Sequence, residues 1–207
     1  MCAEEGGFFG CKCRSCYADD PEAVGVLGAA MAAGLLAAGV QPVGKHAPGH
    51  GRARVDSHHE LPRVAAPEVE PDIRPFAVNR NLPWAMTAHI LYEALDPERP
   101  ATLSPLVIGE VIRGRIGFEG VLVSDDLAMG ALAGAPAARA TAALRAGCDV
   151  ALYCTGEPAP TAAVLAACPE LSPAGAERMR AAAGLARARR QELDLAALAA
   201  ERDRLLA

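Results

Sequence analysis

Short apolar segments alternate with capped helical segments along most of this chain. The apolar segments are residues 40–43, 83–90, 120–123 and 149–154. A helix over residues 23–40 is predicted by the start signal Asp20-Pro21-Glu22, and a helix over residues 136–146 is predicted to stop at Gly147. Apolar strands that alternate with capped helices are typical of parallel β/α units, so we predict an α/β fold. Beyond residue 158 the pattern predicts only helices.

Polar side chains follow three of these predicted strands, at the point where each strand ends. Lys45 and His46 come after the first strand, and His89 lies near the end of the second. Ser124-Asp125-Asp126 follows the third. Barrels and open sheets of parallel strands place their sites at the carboxyl ends of the strands. We therefore expect a functional site that is built from these three segments.

The loop after the first strand is dense in titratable side chains. Residues 45–59 contain four of the five histidines of the chain. Prolines and glycines in the same segment favour a shaped loop, and polar loops on a rigid scaffold are typical of active sites. The histidine spacing matches no zinc pattern, so we predict no metal and no cofactor there. A purely structural role for His46 or His50 stays open, and His59 and His89 are ambiguous between supporting and structural roles.

Charge and hydropathy exclude several classes of partner. The net charge of -5 provides no basic surface, so nucleic acid is not an expected partner. Residues 23–40 carry no charge and reach the length of a membrane span, but their glycines and alanines predict a buried, close-packed helix instead. The acidic start of the chain, residues 1–5, does not match a secretion signal. We expect a cytoplasmic protein without a membrane partner.

The seven cysteines do not form a recognisable framework. Cys2, Cys11, Cys13 and Cys16 crowd the first sixteen residues, and the other three are dispersed. An odd number without a secretion signal argues against structural disulfides. Zinc binding at the N-terminal cysteines lacks an obvious fourth ligand. A metal-binding module built on these cysteines and the histidine-rich loop remains an alternative function.

Several motifs occur together in the order found in the family 3 glycoside hydrolases. They are Lys45-His46-Ala47-Pro48-Gly49-His50-Gly51, Asp56-Ser57-His58, Pro83-Trp84-Ala85-Met86-Thr87-Ala88-His89 and Ser124-Asp125-Asp126-Leu127-Ala128-Met129. From about Tyr17 to Gly156 the chain resembles the bacterial β-N-acetylhexosaminidase branch of that family. The resemblance implies hydrolysis of terminal β-linked N-acetylglucosamine from peptidoglycan fragments by a retaining mechanism. It also implies a carbohydrate substrate as the partner.

The same resemblance implies a role for each of five side chains. Asp125 matches the catalytic nucleophile, which forms a glycosyl-enzyme intermediate. His58 matches the general acid/base, and Asp56 matches the carboxylate that orients it. An imidazole suits this task because it can both donate and accept a proton near neutral pH. Lys45 and His46 match the pair that hydrogen-bonds sugar hydroxyls.

Two alternatives for Asp125 stay open when the residues are considered without the family. Asp126 is a chemically equivalent carboxylate in the next position. Asp125 could also serve only as the N-cap of a helix over residues 126–132, since aspartate is a preferred capping residue.

The resemblance further implies a partial TIM (β/α)8 barrel, of which this chain holds the C-terminal half only. Four β/α units cannot close an eight-stranded barrel, which typically needs about 250 residues. We predict an atypical cysteine-rich N-terminus over residues 1–15, the half-barrel over residues 16–157 and a helical C-terminal tail over residues 158–207. The family arginine role is not assigned to Arg14. A catalytically inactive truncated fragment is therefore an alternative function, and the oligomeric state is left open.

Overall fold

The computed structural model describes residues 18–207, and its centre is a parallel three-stranded sheet. The strands are β1 (Val43–Ala47), β3 (Trp84–Thr87) and β5 (Val121–Val123), in the spatial order β1-β3-β5. Gly44 pairs with Ala85, and Ala85 pairs with Leu122. A second parallel pair joins β2 (Arg63–Val64) to β4 (Leu91–Tyr92). The predicted α/β fold is confirmed, while the four N-terminal cysteines and Arg14 lie outside the described residues.

Helices connect the strands and continue to the C-terminus. They are α1 (Pro21–Ala37), α2 (Glu70–Val78), a 3-10 turn (Ala101–Leu103), a π-helix (Val107–Arg115), α3 (Pro136–Ala146), α4 (Pro158–Ala167), α5 (Pro173–Arg189) and α6 (Leu195–Leu206). From residue 158 onward the described residues form helices and no strand, so the prediction of a helical C-terminal segment is confirmed. None of the helices within residues 18–207 is long and apolar enough to cross a membrane.

Local capping explains where the predicted helices begin and end. The carboxylate of Asp20 accepts hydrogen bonds from the amides of Glu22 and Ala23 at the start of α1. Gly147 ends α3 with a φ of 118°, which glycine adopts without strain. The prediction that α1 is buried is wrong, because Val26 and Met31 are more than half exposed. Only Val24, Gly25 and Ala32 of this helix are buried, and it packs against α2 and α5.

Two predicted strands differ from the observed ones. The first strand begins at Val43 rather than ending there, so Lys45 and His46 lie on β1 and not in the loop after it. The strand continues past these polar residues because Ala47 pairs with Thr87, and the register is irregular between Gly44 and Ala47. The predicted strand over residues 149–154 is reduced to a single bridge between Val150 and Val123. It runs beside β5 but makes no regular ladder.

The main core lies between the sheet and the helices on its flank. Its largest fully buried members include Ile108, Ile112, Leu122 and Leu127. Asp149 connects helix α5 of the C-terminal tail to the π-helix. Its carboxylate accepts hydrogen bonds from Arg178 on α5 and from Arg113 on the π-helix. By contrast, α6 has no buried residue.

Candidate active site

The carboxyl ends of β1, β3 and β5 bring the predicted polar residues to one edge of the sheet. Asp125 follows β5 and is only 8% exposed. Its Oδ1 atom accepts a hydrogen bond from the amide of Asp126 at 2.9 Å. Its Oδ2 atom lies 3.7 Å from Nε2 of His46 on β1. One carboxylate oxygen is therefore held by the backbone, while the other faces the histidine.

Two neighbouring histidines form one wall beside Asp125. The ring centroids of His46 and His50 are 5.4 Å apart. Burial lowers the pKa of His46 to about 2, and the charge of Lys45 acts in the same direction. Burial also lowers the pKa of His50. Both imidazoles are therefore neutral at physiological pH, and each offers one N–H donor and one acceptor.

Lys45 is exposed and lies next to His46 on β1. His50 is buried, and its Nε2 atom lies 3.4 Å from Oγ of Ser57. The Nδ1 atom of His50 has no hydrogen-bond partner among the described residues. Within the histidine-rich loop His50 is therefore packed beside Ser57, while the Lys45 side chain is exposed.

Asp56 and His58 form a hydrogen-bonded pair within the same loop. Oδ1 of Asp56 lies 2.7 Å from Nδ1 of His58 and also accepts the His58 backbone N–H at 2.9 Å. These bonds, the backbone bond first, lower the pKa of Asp56. The ionised carboxylate accepts the Nδ1 proton, which leaves Nε2 of His58 as the atom that can exchange protons. The His58 side chain is 71% exposed, so this atom is accessible.

Backbone hydrogen bonds tie the Asp56–His58 segment to the turn that follows Asp125. The amide of Gly130 donates to the carbonyl of His58 at 3.0 Å, and the amide of Ala131 donates to the carbonyl of Ser57 at 3.2 Å. A Cβ atom on Gly130 would lie 2.9 Å from the His58 carbonyl oxygen, so only glycine allows this approach. The two segments that the sequence separates by about 70 residues are thereby brought into contact.

The structure distinguishes Asp125 from Asp126. Oδ1 of Asp126 accepts hydrogen bonds from the amides of Ala128 and Cys154, both at 3.0 Å, so this side chain holds the turn together. Residues 126–132 form turns and not a helix. The alternative in which Asp125 caps a helix is therefore wrong, and Oδ2 of Asp125 is the carboxylate oxygen that faces His46.

Other residues of the site could not be assigned from the sequence. His89 is fully buried and contacts the carbonyl of Asp126 through Nε2 at 3.0 Å. Tyr92 donates a hydrogen bond to the carbonyl of Gly49 at 2.8 Å and braces the histidine loop. The only sequence signal that these two residues belong to the site was their position near the end of a predicted strand. Within residues 18–207, no group of three or more potential ligands could hold a metal ion.

Comparisons with known proteins agree with this architecture. Residues 10–187 match the family described as Glycosyl hydrolase family 3 N terminal domain. A beta-hexosaminidase from Alkalilimnicola ehrlichii is 46% identical over 166 residues, which cover 77% of this chain and 47% of that protein. The chain belongs to glycoside hydrolase family 3. It spans about half the length of the curated relatives that it matches.

Solved structures of the same family superpose on this chain. The family 3 beta-N-acetylglucosaminidase from Paenibacillus sp. str. FPU-7 is 32% identical, with a TM-score of 0.74, and the match covers 84% of this chain and 36% of that one. NagZ from Neisseria gonorrhoeae, solved in complex with N-trifluoroacetyl-D-glucosamine, is 30% identical with a TM-score of 0.59. That match covers 82% of this chain and 58% of NagZ.

Proposed function

We propose that this chain carries the catalytic residues of a β-N-acetylhexosaminidase that releases terminal β-linked N-acetylglucosamine from peptidoglycan fragments. The names of the curated relatives and of the solved neighbours support a β-N-acetylhexosaminide as the substrate, and the family resemblance implies that it comes from peptidoglycan fragments. The observation that carries the proposal is the Asp125 carboxylate, which turns Oδ2 into the site. Backbone hydrogen bonds tie the turn after Asp125 to the loop that bears the hydrogen-bonded pair Asp56–His58.

The proposed reaction is a double displacement with retention at the anomeric carbon. In the first step Oδ2 of Asp125 bonds to the anomeric carbon, the glycosidic bond breaks, and doubly protonated His58 gives its Nε2 proton to the departing oxygen. In the second step neutral His58 takes a proton from water, the water oxygen bonds to the anomeric carbon, and the bond to Asp125 breaks. Asp56 keeps the Nδ1 proton in place throughout both steps.

Lys45 and His46 are proposed to bind sugar hydroxyls. An exposed ammonium group next to a neutral, partly buried imidazole provides donors and one acceptor that suit a hydroxyl-rich ligand. Because His46 is neutral, it does not form an ion pair with Asp125 and leaves the carboxylate available as a nucleophile.

We also propose that residues 16–157 correspond to the C-terminal half of a TIM barrel and residues 158–207 to a helical tail. The parallel order β1-β3-β5, extended by the bridge to Val150, supports this assignment. An inactive fragment is the second candidate. It is favoured by the β1 edge, which no other strand of the described residues covers, and by the high exposure of His58.

Hydrolysis of 4-nitrophenyl N-acetyl-β-D-glucosaminide by the purified chain tests the proposal. We expect turnover that falls by about a thousandfold or more in Asp125→Asn. Asp126→Asn is the matched control, since an amide oxygen still accepts the bonds from Ala128 and Cys154, and it should keep the rate within about tenfold. Turnover that is equal in the wild type and in Asp125→Asn would contradict the proposed role. A folded chain without turnover would identify the inactive fragment.

A further inference from the structure

A buried chain of hydroxyl and imidazole groups runs from the centre of the sheet to the turn after β5. Thr87 and Thr102 have their Oγ1 atoms 2.8 Å apart, and Oγ1 of Thr102 lies 2.8 Å from Nδ1 of His89. Nε2 of His89 lies 3.0 Å from the carbonyl oxygen of Asp126. All three side chains are fully buried. We propose that His89 is a positioning residue for the nucleophile and is held as the neutral Nε2–H tautomer.

The acceptors around His89 determine which nitrogen carries the proton. A carbonyl oxygen can only accept, so Nε2 must donate to Asp126. Burial lowers the pKa of His89, which keeps the ring neutral. A neutral imidazole has one proton, and therefore Nδ1 is an acceptor. The hydroxyl of Thr102 is the group that can donate to it.

The proton inventory of the two threonines is consistent with this arrangement. Oγ1 of Thr102 also lies 2.9 Å from the carbonyl oxygen of Ala88, so its single proton has three possible acceptors, namely this carbonyl, Nδ1 of His89 and Oγ1 of Thr87. That carbonyl accepts the Thr102 backbone N–H at 3.2 Å and is satisfied without the hydroxyl. Thr87 then donates to Thr102, Thr102 donates to His89, and His89 donates to Asp126. Each polar proton is used once.

His89 acts on Asp125 through the backbone of Asp126. Asp126 accepts a hydrogen bond from His89 at its carbonyl oxygen, and its backbone amide donates to Oδ1 of Asp125 at 2.9 Å. Asp126 is thus held at two points, its carbonyl oxygen by His89 and its carboxylate by the amide of Ala128. Because Asp126 in turn holds Oδ1 of Asp125, Oδ2 of Asp125 is the oxygen that is directed at the site. A displacement of about 1 Å at a reacting group can cost about a hundredfold in rate. The catalytic consequence rests on the proposed role of Asp125, whereas the tautomer does not.

The tautomer can be measured without any turnover. Long-range ¹H–¹⁵N correlation spectra of the ¹⁵N-histidine-labelled chain at pH 7 should show a protonated Nε2 and an unprotonated Nδ1 for His89, assigned through the backbone. Thr102→Val removes the donor to Nδ1 and should change the ¹⁵N shift of that atom. A protonated Nδ1 or a doubly protonated ring overturns the proposal, whether or not the chain hydrolyses its substrate.

Kinetics of two variants test the positioning role. In His89→Gln the side-chain amide can still donate to Asp126, and we expect kcat within about threefold of the wild type. In His89→Leu the donor is lost, and we expect kcat to fall about 10- to 100-fold with a KM within about threefold. Equal losses in both variants would overturn the role. If His89→Leu does not fold, His89→Asn, whose amide is too short to reach Asp126, replaces it.

Discussion

The Nε2 atom of His46 lies 3.7 Å from Oδ2 of Asp125, although His46 lies on β1 and Asp125 follows β5. Burial keeps the imidazole neutral, so the contact is not an ion pair at physiological pH. A sugar hydroxyl could therefore bind to His46 without competing with a salt bridge. The neutrality of this histidine has consequences for both binding and stability.

The stability of the fold should decrease as the pH falls below 6.5. In the unfolded chain His46 gains a proton near its ordinary pKa of 6.5, whereas in the folded chain its pKa is about 2. Protons therefore favour the unfolded state throughout this window, and the free energy of unfolding should drop by about 1.4 kcal/mol per pH unit for this residue. Urea denaturation between pH 7 and pH 4.5 measures the slope.

His46→Gln should reduce this slope by about 1.4 kcal/mol per pH unit, because glutamine does not titrate, while buried His50 and His89 keep their own contributions. Val43→Thr is the control, since it alters an exposed side chain on the same strand without changing any titratable group, and it should leave the slope unchanged. Identical slopes for the wild type and His46→Gln would contradict the burial argument.

Asp56 should be needed for the function of His58 and not for the fold. Asp56→Ala removes both hydrogen bonds to His58 and should lower kcat/KM about 10- to 100-fold, because the imidazole loses its orienting partner. Asp56→Asn retains an acceptor oxygen and should lose less. Since the pKa of Asp56 is depressed, its carboxylate remains ionised below its ordinary value of 3.8, and the pair is lost only as the pH falls further. Unchanged activity in Asp56→Ala would exclude the pair from the mechanism.

Gly130 should be sensitive to the addition of a single methyl group. In Gly130→Ala the new Cβ would lie 2.8 Å from the carbonyl oxygen of His59 and 2.9 Å from that of His58, so the loop must shift. We expect kcat to fall about 10- to 100-fold, with a stability loss of about 1–3 kcal/mol. Gly184→Ala is the control, because this helical glycine has no atom within 4 Å of a new Cβ. Full activity of Gly130→Ala would contradict a rigid contact between the two segments.

Asp149 should contribute more to stability than any exposed ion pair. Its side chain is 5% exposed and accepts hydrogen bonds from Arg113, Arg178 and the amide of Leu122. Asp149→Ala leaves these donors without their acceptor and should cost about 3–5 kcal/mol in urea denaturation. Arg180→Ala, which breaks an exposed pair with Glu177, should cost less than about 1 kcal/mol. Equal costs would show that burial does not strengthen the Asp149 contacts.

Local signals predicted the helices better than the strands. The capping residues Asp20 and Gly147 act on their own helices, so α1 and α3 could be located from the sequence. The limits of β1 depend on pairing with β3, about 40 residues away, and the apolar pattern misplaced them. Helix α2 was not predicted because Pro71 and Pro75 interrupt its pattern, although Pro71 occupies the first turn.

The candidate site shows the same division between local and distant causes. Asp56 and His58 are two residues apart, so their pairing follows from the loop alone. The role of His89 depends on a carbonyl that lies 37 positions later, and no local pattern reveals it. The contact between His46 and Asp125 likewise requires the parallel sheet to bring two strand ends together.

Covalent labelling of Asp125 tests the central claim most directly. A 5-fluoro N-acetylglucosaminyl fluoride slows the hydrolysis of a glycosyl-enzyme intermediate, so the intermediate should accumulate. Mass spectrometry of the digested chain should locate one added sugar on Asp125, and Asp125→Asn should take none. A label on Asp126 or on another residue would contradict the assignment of the nucleophile. A folded wild-type chain that takes no label and shows no turnover would contradict the proposal that this chain is an active glycosidase.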